Sequence, residues 1–218
     1  KTPEAENLLD AQLSSLKADN ESLKPETFVN REIGAKWDIR EDLQASLAVY
    51  RLDRGNVAIV DPNDATRMLL VDGQYVRGVD MGIAGRVSDA WQLMGGYAYQ
   101  TGEITTTQSA TALKGNRLAQ LPRHSASLWN RYDFNQSFGA GLGIVYRGSI
   151  YANVDNKVAL PAFTRFDAAL YWTLNPMLQL QLNIENLTDQ RYFASAHSNN
   201  NISPGAPRSA WVSLNYHF

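Results

Sequence analysis

The side chains that could do chemistry in this sequence are few and scattered. It contains three histidines, His124, His197 and His217, and no cysteine. Lack of cysteine excludes thiolate metal sites, iron–sulfur ligation, thiol nucleophiles and disulfide bridges. A hydrolytic triad needs Ser, His and a carboxylate or amide within reach of one another. His124 and Ser125 are neighbours on an extended segment, so their side chains point to opposite faces, and His217 falls on an inward face near the chain end. Three separated histidines give no metal-ligand spacing, and no glycine-rich loop follows a strand and opens a helix. No enzymatic activity, resident metal or cofactor is therefore expected. Lys and Arg number 20 against 22 Asp and Glu, and this near-neutral balance argues against a nucleic-acid partner.

The elements that must position any binding residues are strands. Residues 1–24 read as a loop segment carrying one short helix over residues 3–18: Thr2 caps, Pro3 suits the first helical position, and Leu9, Leu13 and Leu16 recur at helical spacing. From Phe28 the period changes from 3.6 to 2. In the segment 178–185, Leu178, Leu180, Leu182 and Ile184 alternate with Gln179, Gln181, Asn183 and Glu185, the signature of a strand with one apolar face. The same pattern over 33–39, 43–49, 79–84, 91–99, 126–132, 138–147, 166–173 and 212–218 brings the count to nine. Their connectors alternate in length. Those at 38–42, 87–90, 133–137 and 174–177 are short; those at 52–74, 101–121, 148–162 and 193–206 are long and polar. Outer-membrane barrels sort their loops in this way, with short periplasmic turns and long external loops.

Three further features favour a membrane barrel over a soluble sheet. Pro25, Pro122, Pro161 and Pro207 each precede a strand descending from a long loop, where a missing N–H is tolerated. Trp37, Trp91, Tyr99, Tyr132, Trp172 and Tyr216 lie near strand ends, as aromatic girdles would. The polar faces carry Gln, Asn, Ser, Gly and Ala, with charges mostly near turns and loops.

Several short stretches carry a family resemblance. They are Leu23-Lys-Pro-Glu-Thr27 with Glu32-Ile-Gly-Ala-Lys36; Val76-Arg-Gly-Val-Asp80; Gly115-Asn-Arg-Leu118 leading to Leu121-Pro-Arg-His124; Asn183-Ile-Glu-Asn-Leu-Thr-Asp189 with Tyr192; and Pro204-Gly-Ala-Pro-Arg208 ending in Tyr216-His-Phe218. In order and spacing they resemble the C-terminal part of TonB-dependent outer-membrane receptors of the ferric-siderophore type. The resemblance implies an all-β, antiparallel up-and-down transmembrane barrel of about 22 strands, plugged by an N-terminal domain. Residues 25–218 would supply about nine C-terminal strands and their loops. An odd count leaves the chain entering mid-barrel and two edges unpaired, which hydrocarbon cannot satisfy; the expectation is a piece of a larger barrel, without the plug and the TonB-contacting region.

The resemblance also implies the partners: a ferric siderophore, TonB through that N-terminal region, the barrel-assembly machinery and outer-membrane lipid, in a Gram-negative outer membrane. Cobalamin or haem as cargo, or a passive porin or adhesin barrel, are the alternatives. Ferric siderophores are often anionic and flat, so Arg and Tyr suit them. The candidate ligand residues are Arg147 and Arg191, inward by strand parity, with Tyr151 and His197 in adjoining loops. Val212, Leu214, Tyr216 and Phe218 resemble the C-terminal barrel-assembly signal. Asn183, Asn186 and Asp189 are expected to shape a turn rather than touch ligand.

Overall fold

An alternating chain can satisfy its backbone only by pairing with neighbours, and the computed structural model displays that pairing. It describes residues 23–61 and 63–216. The chain runs β1 (Thr27–Arg40), β2 (Leu43–Gly55), β3 (Val57–Asp61), β4 (Asp64–Val71), β5 (Gln74–Arg86), β6 (Trp91–Ile104), β7 (His124–Asp133) and β8 (Phe138–Arg147). It continues through β9 (Ile150–Tyr151), β10 (Ala159–Leu160), β11 (Phe163–Asn175), β12 (Leu178–Glu185), β13 (Phe193–Ser198), β14 (Asn201–Pro204) and β15 (Ser209–Tyr216). One antiparallel sheet of nine strands has the order β1-β2-β5-β6-β7-β8-β11-β12-β15. These are the nine strands expected from the sequence. The remaining six form hairpins β3–β4, β9–β10 and β13–β14. No described residue is helical; the helix expected over residues 3–18, and also His217 and Phe218, lie outside the described residues.

The register sorts the side chains into two faces, because directly paired residues point the same way. One face is apolar. Ile33, Val49, Val79, Tyr99 and His124 are successive cross-strand partners. The next row holds Ala35, Leu47, Met81, Tyr97, Ala126 and Tyr146. Near the short turns, Phe138, Trp172, Leu180 and Leu214 align. Ile33 is 77% exposed, Leu214 63% and Val212 62%. A continuous apolar face of this extent is not left to water.

The other face is polar. Arg131, Gly141, Ala169 and Asn183 form one row, and Asp133, Gly139, Tyr171, Gln181 and Ser213 the next. Arg131 bonds Asp133 at 3.0 Å and lies 4.1 Å from the Tyr171 ring centroid. The Trp129 indole rests on β8, where a Cβ at Gly141 or Gly143 would come within 2.5 or 2.6 Å of it. This close approach accounts for the alternate glycines of that strand.

At the turn end the connections are short, and asparagine makes two of them. Asn135 Oδ1 accepts the N–H of Ser137 at 2.8 Å and of Phe138 at 3.0 Å; Asn175 Oδ1 accepts the N–H of Met177 at 2.9 Å. At the loop end β1, β2, β5 and β6 run further than the sequence pattern indicates, to 13 or 14 residues. About 9–11 residues suffice to cross a bilayer. The extensions carry polar residues on both faces, so alternation fades there while backbone pairing continues. Pro25, Pro122, Pro161 and Pro207 each stand two residues before a strand, at Thr27, His124, Phe163 and Ser209. The buried apolar cluster, Ile150, Ala152, Leu160 and Ala196 with Val158 and Ile202 against it, is in the loops and not on the sheet.

Candidate ligand-binding cap

The long loops are joined to one another. Asn156, in the β9–β10 connection, clamps Arg117 of the β6–β7 loop at two points. Its Nδ2 donates to the Arg117 carbonyl and its Oδ1 accepts the Arg117 N–H, both at 2.8 Å. Asn116 Nδ2 donates to the Val154 carbonyl at 2.8 Å, and the Gln120 N–H donates to the Tyr151 carbonyl at 2.9 Å. The β13–β14 hairpin joins through Ala196, which packs in the apolar cluster, and through Asn199 Nδ2, 2.7 Å from Asp155 Oδ2. Gln108 Nε2 donates to the Gly73 carbonyl at 2.7 Å, extending the connections to the start of β5. Asn156 and Gln120 hold left-handed backbone at φ 56° and 59°. For asparagine that conformation costs little; for glutamine it is unusual, and Gln120 is held by its N–H bond to Tyr151 and by its Oε1 accepting from Ala196 at 3.4 Å.

The sequence-predicted site residues lie in or beside this cap. Arg147 closes β8 on the polar face, paired with Ser125 and Phe163. Its Nη2 donates to the Phe193 carbonyl at 2.8 Å, its Nη1 donates to the Ala194 carbonyl, and its guanidinium stacks 4.8 Å from the Phe163 ring. It is a strut beneath the β13–β14 hairpin. Tyr151, on β9, lies under the Arg117 guanidinium at 5.3 Å. His197 is exposed on β13. Thus Tyr151 and His197 sit on the two hairpins that share the apolar cluster. Arg191 corrects the parity argument: it is off any strand, between β12 and β13, and exposed. Asn186 and Asp189, at φ 53° and 52°, turn the chain before it, so alternation does not carry through to its side chain.

Asn186 is fully buried. Its Nδ2 donates to the carbonyls of Gln190 and Ala206, each at 3.0 Å, and its Oδ1 accepts the Gln190 N–H at 2.8 Å. Its own N–H donates to Asp167 Oδ1 at 2.8 Å. Asp189 Oδ1 accepts the Arg208 N–H at 3.0 Å, fixing the entry to β15. Both are architectural, and Asn183 accepts from Gln181 on the strand below.

Two groups escaped the sequence reading. Arg117 stands in the Gly115-Asn-Arg-Leu118 stretch, but only the fold places it over Tyr151. Arg165, inward beside outward Phe166, bonds Asp167 at 2.9 Å, Glu185, and the Tyr192 hydroxyl at 3.2 Å. Tyr192 stacks on Phe163 at 4.2 Å. The cap therefore carries Arg117 over Tyr151 on one hairpin and exposed His197 on the other; arginine and tyrosine are the residue types that a planar anionic ligand favours.

Comparison with known proteins places the fold in a family. A family model described as TonB dependent receptor-like, beta-barrel, matches residues 3–187. The chain is 30% identical over 215 residues to the probable TonB-dependent siderophore receptor PiuA of Acinetobacter baumannii, covering 94% of this chain and 28% of that receptor. It is 32% identical over 207 residues to the catecholate siderophore receptor Fiu of Escherichia coli K12, covering 92% of this chain and 27% of Fiu. The crystal structure of PiuA superposes with a TM-score of 0.83 at 30% identity, over 92% of this chain and 30% of that one. The closed form of Fiu gives 0.85 at 30% identity, over 100% and 31%. The chain thus spans under a third of the length of these relatives.

Proposed function

The chain belongs to the TonB-dependent receptor β-barrel family, and on that premise we propose that it forms barrel wall and external loops of an outer-membrane importer of ferric siderophores. The single observation that carries this reading is the joined cap, which ties together the loops that bear Arg117, Tyr151 and His197. The siderophore receptors among its relatives support the cargo class. In this reading residues 25–218 supply the wall, the apolar face meets lipid, and the loop end faces outside a Gram-negative cell. Energy comes from TonB acting on parts of the receptor other than this chain. The chain works by binding and gating, without a catalytic step, a cofactor or a resident metal. We place the cargo contacts on Arg117, Tyr151, Arg191 and His197, with Arg147 holding the cap over them. The outward residues Val212, Leu214 and Tyr216 of β15, with Phe218, serve barrel assembly.

The test uses a complete receptor carrying this chain. Binding of a ferric catecholate is followed by tryptophan fluorescence, and uptake by iron-limited cells is measured with and without TonB. Saturable binding and TonB-dependent uptake are expected, with the R117A/Y151F/R191A variant binding at least ~10-fold more weakly. Preference for cobalamin or haem would change the cargo, and uptake without TonB would overturn the reading.

A further inference from the structure

Pairing aligns Arg31 with Arg51 and Arg51 with Arg77, so three guanidiniums stand side by side on β1, β2 and β5. With strands about 4.8 Å apart, the row spans roughly 10 Å. It lies on the apolar face, because each arginine is two residues from a member of the Ile33, Val49, Val79 row. Among the described residues, the salt bridges of this row run to one carboxylate, Asp53. It accepts from Arg31 at 3.0 Å and from Arg51 at 2.8 Å. Arg77 donates Nε to Thr101 Oγ1 at 3.4 Å. The side chains of Arg31 and Arg51 are 68% and 49% exposed. The adjoining row holds Asp53 and Glu103, the latter accepting from the Tyr75 hydroxyl at 3.2 Å, so three cations face two carboxylates and the row at the loop-end margin of the apolar face keeps a net positive charge.

Beneath the row runs an open groove floored by Ile33, Val49, Val79 and Tyr99. Beside it Tyr97 and Tyr99 gather around His124, with the Tyr97 hydroxyl 2.8 Å from His124 Nδ1 and the Tyr99 ring 5.0 Å from the imidazole. Such amphipathic rings mark a membrane–water boundary. We propose that Arg31, Arg51 and Arg77 bind the phosphate groups of an outer-leaflet lipid whose acyl chains lie in the groove below. Arginine suits phosphate through its planar, bidentate donors. The continuity of basic row and apolar groove favours a lipid over free phosphate, which could use only the first.

The proposal rests on the outer-membrane reading. That reading fails by itself if the complete receptor stays monodisperse without detergent. The test proper is retention of diphosphoryl lipid A by the purified complete receptor, read by native mass spectrometry. Its dephosphorylated form and inorganic phosphate serve as comparison ligands. The R31Q/R51Q/R77Q variant should retain roughly 10-fold less of the phosphorylated lipid, while R31K/R51K/R77K keeps most of it. Heat-dependent gel mobility and ferric catecholate binding should be unchanged in both. Wild-type retention by the glutamine variant, equal retention of the dephosphorylated lipid, or displacement of the lipid by an equimolar amount of inorganic phosphate would each overturn the proposal.

Discussion

Replacing Asn186 tests how the connection between β12 and β15 is held. Alanine removes three hydrogen bonds from a fully buried amide, at about 1 kcal/mol each. It also places a Cβ-bearing residue without a local hydrogen-bonding group at φ 53°, adding about 1 kcal/mol. The sum, ~4 kcal/mol, falls on the local opening of residues 186–208, because the Asn186 N–H bond to Asp167 and the Leu187 N–H bond to the Phe166 carbonyl survive the change. Glycine removes the same bonds without the strain and should cost about 3 kcal/mol. Aspartate keeps the contact with the Gln190 N–H but faces two carbonyl oxygens as an acceptor, so it should cost at least as much as glycine. Amide hydrogen exchange by mass spectrometry on the complete receptor reads this directly. At a tenfold change per 1.4 kcal/mol, N186A should accelerate exchange in peptides spanning 186–192 and 204–209 by roughly a thousandfold, and N186G should fall about fivefold short of that. Exchange in N186A within about threefold of wild type would refute the assignment of stability to this amide. Equal rates for alanine and glycine would refute the backbone contribution alone.

Three other outcomes are expected, two from the geometry and one from the resemblance of Val212, Leu214, Tyr216 and Phe218 to a barrel-assembly signal. Gly205→Ala places a Cβ 2.2 Å from the Tyr192 ring, so the stack on Phe163 must shift. A loss of about 1–3 kcal/mol, seen as faster proteolysis of the 186–208 connection, is expected, and unchanged cleavage would count against the close packing. Arg147→Ala removes two charged donors from the β13 backbone and should speed exchange in β13 and β14 by about 10- to 100-fold; lysine at this position should recover only part, because it lacks the fork. Deleting Phe218 should lower the level of the complete receptor in the outer membrane severalfold by quantitative immunoblot, and normal levels would argue against an assembly role for this aromatic.

The wall was legible because alternation persists in every strand of it. Leu178 to Glu185 assigns each side chain to a face, and the register then follows from matching apolar rows such as Phe138, Trp172 and Leu180. The loop hairpins were not legible. Val57-Ala58-Ile59-Val60 is a continuous apolar run without alternation, and β9 and β10 have two residues each. Parity gave the direction of Arg147 but not its employment, since its partners are backbone carbonyls 46 and 47 residues away. Parity failed at Arg191 because Asn186 and Asp189 in left-handed backbone reset the chain direction first.

The placement of the apolar cluster has a mechanical consequence. In most proteins the best-packed interior lies in the scaffold and the loops are pliant. Here Ile150, Ala152, Leu160 and Ala196 give the mouth of the molecule its own small interior, and Asn116 and Asn156 fasten a third segment to it. These parts are therefore tied into one body at the loop end of the sheet. A displacement of one hairpin carries its neighbours with it, because the cluster and the two asparagines join all three segments.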